Sequence, residues 1–351
     1  MAISSTSVSP KDFQLGILAE TTAGTANVSS MNLINIDSIE LPSLNPTQVT
    51  DVRHGTGRTL KQVDTFTTNK VTVKEISFSG IADSTILPIL LENITQDASG
   101  VGASGDDLYE VNNNYEPSAI DIGTTTATDN TMTFTIAIDN AVSDSYSMIF
   151  TGCVLTSLTI NGDIGEESGR VKFSGTFKTG MVPNLSPEVA DKPSYASGAT
   201  ASFNNNYFVT DFDTTKVAGV ADCVLKSFSL TIENDAQFMG FDSSGNYQVI
   251  QRALPEIIAT CDSVVKYDGN TQALIEAFEI QSIDDATGHV DIDLQASSGT
   301  NKVGVDINNT ILTDVSFSEE EAMFLSISQK AIADATGTNK FFSIKATNTT
   351  A

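Results

Sequence analysis

Two histidines, three cysteines and a large surplus of carboxylates are the side chains of this 351-residue chain that could do chemistry. His54 lies in the polar run Asp51-Val52-Arg53-His54-Gly55-Thr56-Gly57-Arg58, and neither it nor His289 stands beside a serine or cysteine in a nucleophile pattern. The G-x-S-x-G turn that lifts a nucleophilic serine above a sheet is absent. Cys153, Cys223 and Cys261 have no second cysteine or histidine at metal-ligand spacing, and their number is odd. They read as three reduced thiols, at least some of them in strand cores. Gly100-Val101-Gly102-Ala103-Ser104-Gly105 spells G-x-G-x-x-G. That fingerprint needs a strand before it and a helix after it, so that a pyrophosphate meets the helix N-terminus. Here a helical pattern precedes it and Asp106-Asp107, which repel phosphate, follow, so it reads as a loop tip. Acidic pairs stand at Asp106-Asp107, Glu166-Glu167 and Asp284-Asp285, with Glu319-Glu320-Glu321 beyond, and Asp291 and Asp293 share the polar face of a strand. None follows the calcium-loop pattern. The expectation is solvated acidic faces, with no cofactor, no metal and no enzyme.

The charge balance points the same way. With 44 acidic and 18 basic residues the net charge is −26. Affinity for phosphate backbones comes from Lys and Arg displacing counterions, so a chain this acidic repels nucleic acid and anionic membranes. No basic segment followed by an apolar run opens the sequence, so no secretory leader is expected. The run Ile86-Leu87-Pro88-Ile89-Leu90-Leu91 is too short to cross a bilayer.

The elements that position these groups are mainly strands. In residues 131–139, Met132, Phe134, Ile136 and Ile138 alternate with Thr133, Thr135 and Ala137, a period of two that buries one face. Residues 70–79, 146–161, 170–178, 224–232, 257–267, 289–294, 302–317 and 340–345 read alike, and 289–294 with 302–307 flank a Ser-Ser-Gly-Thr turn that predicts a hairpin. Leu87, Leu90, Leu91 and Ile94 predict one short helix. Leu274, Ala277 and Phe278 predict a second, started by the Asp268-Gly269-Asn270 turn, and residues 319–325 carry a third helical pattern.

The chain repeats. Val154-Leu155-Thr156-Ser157-Leu158-Thr159-Ile160 reads against Ile311-Leu312-Thr313-Asp314-Val315-Ser316-Phe317, residues 133–139 against 290–296, and Leu87 and Leu91 against Leu274 and Phe278. Each half then runs strand, strand, helix, strand, strand, strand. The first half carries extra residues, 95–130, rich in Gly, Asp, Asn and Thr, which read as a long surface loop. The boundary falls in residues 181–206, giving a first unit over 1–190 and a second over 195–351. The predicted fold is two tandem β-sandwich or barrel-like units, each with one short flanking helix.

With the repeat in place, several stretches resemble one family. Thr151-Gly152-Cys153-Val154-Leu155-Thr156-Ser157-Leu158-Thr159-Ile160-Asn161-Gly162 and the following Arg170-Val171-Lys172-Phe173-Ser174-Gly175-Thr176-Phe177 resemble paired strands of the major tail tube protein of long-tailed bacteriophages. Leu230-Thr231-Ile232-Glu233-Asn234, with an arm leading to Pro255-Glu256-Ile257-Ile258-Ala259, resembles that family's second-half strand, loop and strand. Glu20-Thr21-Thr22-Ala23-Gly24-Thr25 resembles its lead-in. The 95–130 insertion and the low aromatic content, 7%, depart from the family pattern.

The resemblance implies small sheets closed into a ring around a channel, with the helix on the outer flank, and rings stacked into a tube that DNA traverses. An acidic channel would let DNA slide without sticking. Because such tubes are commonly six-fold, a chain holding two units implies a homotrimeric, pseudo-hexameric ring. Arms over 51–65 and 237–252, bearing Arg53, His54, Arg58, Lys61 and Arg252, are expected to reach the next ring. Partners would be further copies of the chain, the tape measure, terminator and distal tail proteins, and DNA in transit. The place would be the virion tail, assembled in the host cytoplasm without a membrane. A surface-layer or adhesin protein, which needs secretion, and a head-decoration protein stand as alternatives.

Overall fold

Alternation decides most of the elements. In residues Lys172–Thr179, Phe173, Gly175, Phe177 and Thr179 are buried while Lys172, Ser174, Thr176 and Lys178 stay at least partly exposed. In a computed structural model of the chain, residues 13–34, 36–43, 47–50, 65–68, 73–96, 105–112, 119–126, 133–140, 147–185, 192–196, 206–209, 212–252, 256–269, 271–272, 275, 292–296, 303–307, 309–319, 323–333 and 340–348 are described. The first half gives β1 (Phe13–Ala19), β2 (Asn32–Ile34), β3 (Ile36–Glu40), β4 (Thr47–Thr50), β5 (Thr65–Thr68), β6 (Lys74–Ile81), α1 (Ile86–Thr95), β7 (Gly105–Asn112), β8 (Ile120–Asp121), β9 (Phe134–Asn140), β10 (Met148–Asp163) and β11 (Lys172–Thr179). The second gives β12 (Phe212–Val217), β13 (Val220–Ala221), β14 (Leu225–Glu233), β15 (Ala236–Met239), β16 (Val249–Arg252), β17 (Ile258–Lys266), β18 (Ile292–Ala296), β19 (Val303–Ile307), β20 (Thr310–Glu319), β21 (Met323–Ala331) and β22 (Lys340–Asn348).

The protein is mainly β, as its sequence pattern predicts. Antiparallel strands run in the order β3-β6-β11-β10-β14-β17-β21-β20. β10 is long because it serves two layers. Its start pairs with β9, which continues into β1 and β2, and from Val154 onward it pairs with β11 and then also β14. The ladder with β9 shifts register between Phe150 and Cys153, where Gly152 takes φ +59°, a turn that favours glycine. A second sheet runs β13-β12-β18-β19-β22-β7. The predicted hairpin is present as β18 and β19, with Ile292 opposite Ile307. Among the described residues no sheet closes on itself into a barrel, and the sheets are sandwich-like.

Three expectations change. The 95–130 insertion is not simply a surface loop. β7 adds to the second half's sheet beside β22, burying Tyr109 and Val111, and β8 pairs with β16, burying Ile120. Its turn-forming residues hid a short alternation, Tyr109-Glu110-Val111. The third helical pattern is the end of one strand and the start of the next, with Glu319 opposite Met323. There the alternation of Leu325, Ile327, Gln329 and Ala331, all buried, overrides the acidic helix-start signal. The first helix forms as predicted, but it does not flank the outside. Every residue of α1 is buried, because β10 lies on one side and β7 and β22 cover another. Asp83 Oδ1 accepts the otherwise orphaned N–H groups of Thr85 and Ile86 at 2.9 Å each, and Pro88 sits in the first turn, where its missing donor costs nothing. Leu274, Ala277 and Phe278 lie outside the described residues. At the expected start of their helix the Thr271 N–H donates to Asp268 Oδ1 at 3.2 Å.

One contiguous core runs through both halves, from Leu15 and Ile17 through Phe78, Phe173 and Phe177 to Ile232, Val265 and Ile327. Phe78 stacks on Phe177 at 5.3 Å and meets Phe173 edge-on at 5.8 Å, contacts that add to simple area burial.

Candidate assembly surfaces

The long antiparallel sheet presses one face into the core and leaves the other open. Cross-strand partners share a face, so the register identifies what the open face carries. Ser38 lies opposite Ser79, Ser79 opposite Ser174, and Ser174 opposite Thr159. Thr159 lies opposite Thr231, Thr231 opposite Thr260, and Thr260 opposite Lys330. Ser328 and Ser326 face Asp314 and Ser316 at the far edge. The hydroxyls bond to one another: Ser38 with Ser79 at 2.8 Å, Ser77 with Thr176 at 3.0 Å, Thr159 with Thr231 at 3.0 Å. The face is concave over its first strands, where a hollow of about 380 Å³ is lined by Ser38, Glu40, Ser77, Ser157, Ser174 and Thr176.

Three lysines on this face are held by carboxylates, while Lys266, on the same face of β17 as Thr260, is exposed. Lys178 Nζ lies 2.7 Å from Asp235 and 3.7 Å from Glu75, Lys172 lies 2.9 Å from Glu167, and Lys330 lies 3.5 Å from Glu256. The Lys172 ammonium, bonded to Glu167, holds that carboxyl below its ordinary range. What remains is a hydroxyl-rich surface on which Lys172, Lys178 and Lys330 are paired.

Among the described residues the strand order ends at β3 on one side and β20 on the other. β20 is ten residues long and contains no proline and no lysine, and its register with β21 shifts only between Leu312 and Asp314. Two hairpins leave the same end of the sheet: β4–β5 between β3 and β6, and β15–β16 between β14 and β17. The second hairpin is seated on the first half. The Tyr247 N–H donates to Gly180 O at 3.1 Å and the Val182 N–H to Asn246 Oδ1 at 2.8 Å. A Cβ on Gly180 would come within 2.4 Å of Tyr247 Cδ2 and 2.8 Å of Phe238 Cδ1, so glycine there leaves room for this edge-to-face pair.

Residues 11–328, from the N-terminal strand into β21, match a family described as phage tail tube protein. The chain belongs to the phage tail tube protein family. No individually curated protein matches it. As a tail tube protein it is a structural component of the virion tail, and membership implies self-assembly and contact with other tail proteins. Among the described residues no helix is long and apolar enough to cross a membrane, and no group of three or more His, Cys, Asp or Glu could hold a metal.

Of the stacking residues expected from sequence, Arg53, His54, Arg58 and Lys61 lie outside the described residues, between β4 and β5. His289 and most of the G-x-G-x-x-G run also lie outside them, but the run follows α1 and leads into β7, the reverse of a dinucleotide loop. Arg252 is placed differently from the expectation. It is fully buried, and its Nη2 donates to Leu155 O at 2.6 Å. The reason lies in β10. Between the β9 ladder and the β14 ladder its backbone needs other partners: Asn93 Oδ1 accepts from the Leu155 N–H at 2.6 Å, Arg252 serves the Leu155 carbonyl, and the Asn234 N–H donates to Thr156 O at 2.9 Å. Arg252 therefore fastens the root of the second arm to the first half and cannot act as a rim cation. Arg252→Met is expected to lower protomer stability by about 2–3 kcal/mol, the order of a charged hydrogen bond lost to a buried carbonyl, in thermal or denaturant unfolding. Equal unfolding midpoints for the two proteins would refute that role.

All three cysteines of the tail tube protein are buried thiols. Burial pushes Cys153 well above the ordinary thiol range and Cys261 up to about 12, so both stay protonated and inert at neutral pH. The hydroxyl face was not singled out in the sequence, although serine or threonine at every second position in Ser157/Thr159, Ser174/Thr176, Ser227/Ser229/Thr231 and Ser326/Ser328 was the signal for it.

Proposed function

We propose that three copies of this tail tube protein close a ring around a channel, that the rings stack into a tube, and that the tube conducts phage DNA into the host. The observation that carries this reading is the strand order. The blocks β3-β6-β11-β10 and β14-β17-β21-β20 have the same sequence of antiparallel pairings, the same position for the arm, and a helix or the expected start of one after the second strand. This supports two tube units, over 1–190 and 195–351. The units join where β10 meets β14, with Ser157 opposite Glu233 and Ile160 opposite Leu230. In block order β20 corresponds to β10 and β3 to β14. The same seam then forms between β20 of one copy and β3 of the next, which is a head-to-tail contact that a rotation can close. Three chains supply six units, with true three-fold and approximate six-fold symmetry.

The open hydroxyl face becomes the channel wall. Three of its lysines are paired with carboxylates and the chain carries a net charge of −26, so DNA finds little counterion-releasing grip and slides. The protein is structural and not catalytic. Arg53, His54, Arg58 and Lys61 on the first arm reach toward the neighbouring ring. Tape measure protein inside the channel, and terminator and distal tail proteins at its ends, are the further partners, met during assembly in the host cytoplasm. Negative-stain images of purified assemblies test the reading. Stacked rings with a central channel are expected, whereas fibres would favour a surface-layer protein and head-bound trimers a decoration protein.

A further inference from the structure

The large apolar side chains left exposed among the described residues lie at the two opposite ends of the long sheet. At the end from which the arms leave are Leu41, Val182 and Leu185, with Met239 and Phe241 on the second arm, 44–49% exposed. At the other end, where β10, β17 and β20 finish and β14 and β21 begin, are Ile164, Val224, Phe317 and Met323, 43–56% exposed. Each end holds an aromatic pair with a half-exposed phenylalanine: Phe241 lies on Tyr247 at 4.4 Å, and Phe317 meets Tyr267 edge-on at 5.5 Å.

We propose that the second arm of one copy stacks through Met239 and Phe241 onto the Val224, Phe317 and Met323 end of another copy, so that ring stacking is an apolar contact of fixed polarity. The proposal rests on the stacked-tube reading and names the surfaces that stack. The occupant is a second copy of this chain for three reasons. The two patches sit at opposite ends of one sheet, so displacing a copy along the sheet's strands brings them together, and such unlike surfaces make an open-ended filament. Chains of net charge −26 repel, so their association needs a driving force that charge does not supply. And the arm is held ready: Asp242 Oδ1 accepts the N–H groups of Ser244 and Asn246 at 2.8 Å each, fixing its turn, while Gly180 leaves room for Tyr247 and Phe238. Little conformational freedom remains to be lost on docking.

The test uses two double variants of the full chain: an arm variant, Met239→Ser with Phe241→Ser, and an end variant, Val224→Ser with Phe317→Ser. Each alone is expected to keep rings of wild-type mass while stacking affinity falls by roughly a hundredfold, the effect of leaving two half-exposed apolar side chains in water. The loss persists as salt rises, since apolar contacts are not screened. Mixed together, the variants should give stacks of two rings and no longer, because the intact arm end of one fits the intact bare end of the other. Tubes of wild-type length from either variant, or only single rings from the mixture, overturn the proposal. Leu185→Ser and Met323→Ser form a second pair should the first lose the protomer's melting transition. Absence of rings in the wild type counts against the ring reading, while pairing of the two variants, then read between protomers, still decides this one.

Discussion

Replacing Glu20 by glutamine lowers the stability of the protomer by roughly 1–3 kcal/mol in thermal or denaturant unfolding, the cost of one buried donor left without its acceptor. Glu20 is buried at the turn after β1, where both carboxylate oxygens are committed. Oε2 accepts from the Gly24 N–H at 2.7 Å and the Thr133 hydroxyl at 2.5 Å. Oε1 accepts from the Gly152 N–H at 2.9 Å and the Thr135 hydroxyl at 3.0 Å. The threonine hydroxyls can rotate to receive a proton, but the two glycine N–H groups cannot. A glutamine therefore sets its NH2 against one of them in either orientation. The site ties the lead-in turn to β9 and to the bulge of β10, so its loss loosens the layer behind the hydroxyl sheet. Burial raises the Glu20 carboxyl above the ordinary glutamate range, and its hydrogen bonds only partly oppose that. A raised folded value means the native state holds its proton more tightly than the unfolded chain. The stability linked to that proton is fully present below the ordinary glutamate value and is lost as pH rises through the folded one. Glutamine does not titrate, so the gap between the two proteins narrows across that window as pH rises. Equal melting of wild type and variant would show that the turn does not depend on this carboxylate.

A proline in the open edge of β20 abolishes ring formation without unfolding the protomer. Successive N–H groups of a strand point to opposite sides, so of Ser316→Pro and Phe317→Pro one removes a donor to β21 and the other a donor on the free side. The first lowers the protomer's melting temperature. The second leaves protomer stability within about 1 kcal/mol, since a proline on the solvent side of an edge strand is tolerated. If β20 pairs with β3 of the next copy, that second variant remains a single chain by analytical ultracentrifugation at concentrations where the wild type is assembled. Rings from both variants would place the contact between chains elsewhere.

Much of the fold was legible in the sequence because two-residue periodicity survives wherever one face is buried. Met132, Phe134, Ile136 and Ile138 located β9, and Val154, Leu158 and Ile160 located β10. Several of the strands missed take their burial from distant partners. β7 gains its meaning from β22, more than two hundred positions away, and β16 from β8 and β15. Arg252 was misassigned for the same reason. Its charge suggested a surface, while its partner, the Leu155 carbonyl, exists only because β10 passes from one ladder to another. The assembly faces were legible in type but not in place. Alternating serines and threonines were present, yet a hydroxyl stripe becomes a channel wall only when the strands that carry it lie side by side. The arms could be located between paired strands, but the apolar tip of the second, Met239 and Phe241, was overshadowed by the basic residues of the first.

The most direct test of the central claim is the mass of an isolated ring by native mass spectrometry. A sheet whose two strand blocks continue from β20 into β3 of the next copy predicts three chains per ring, with image averages showing three-fold and approximate six-fold symmetry. A ring of six chains would mean that the two blocks do not act as separate tube units, and would contradict the account.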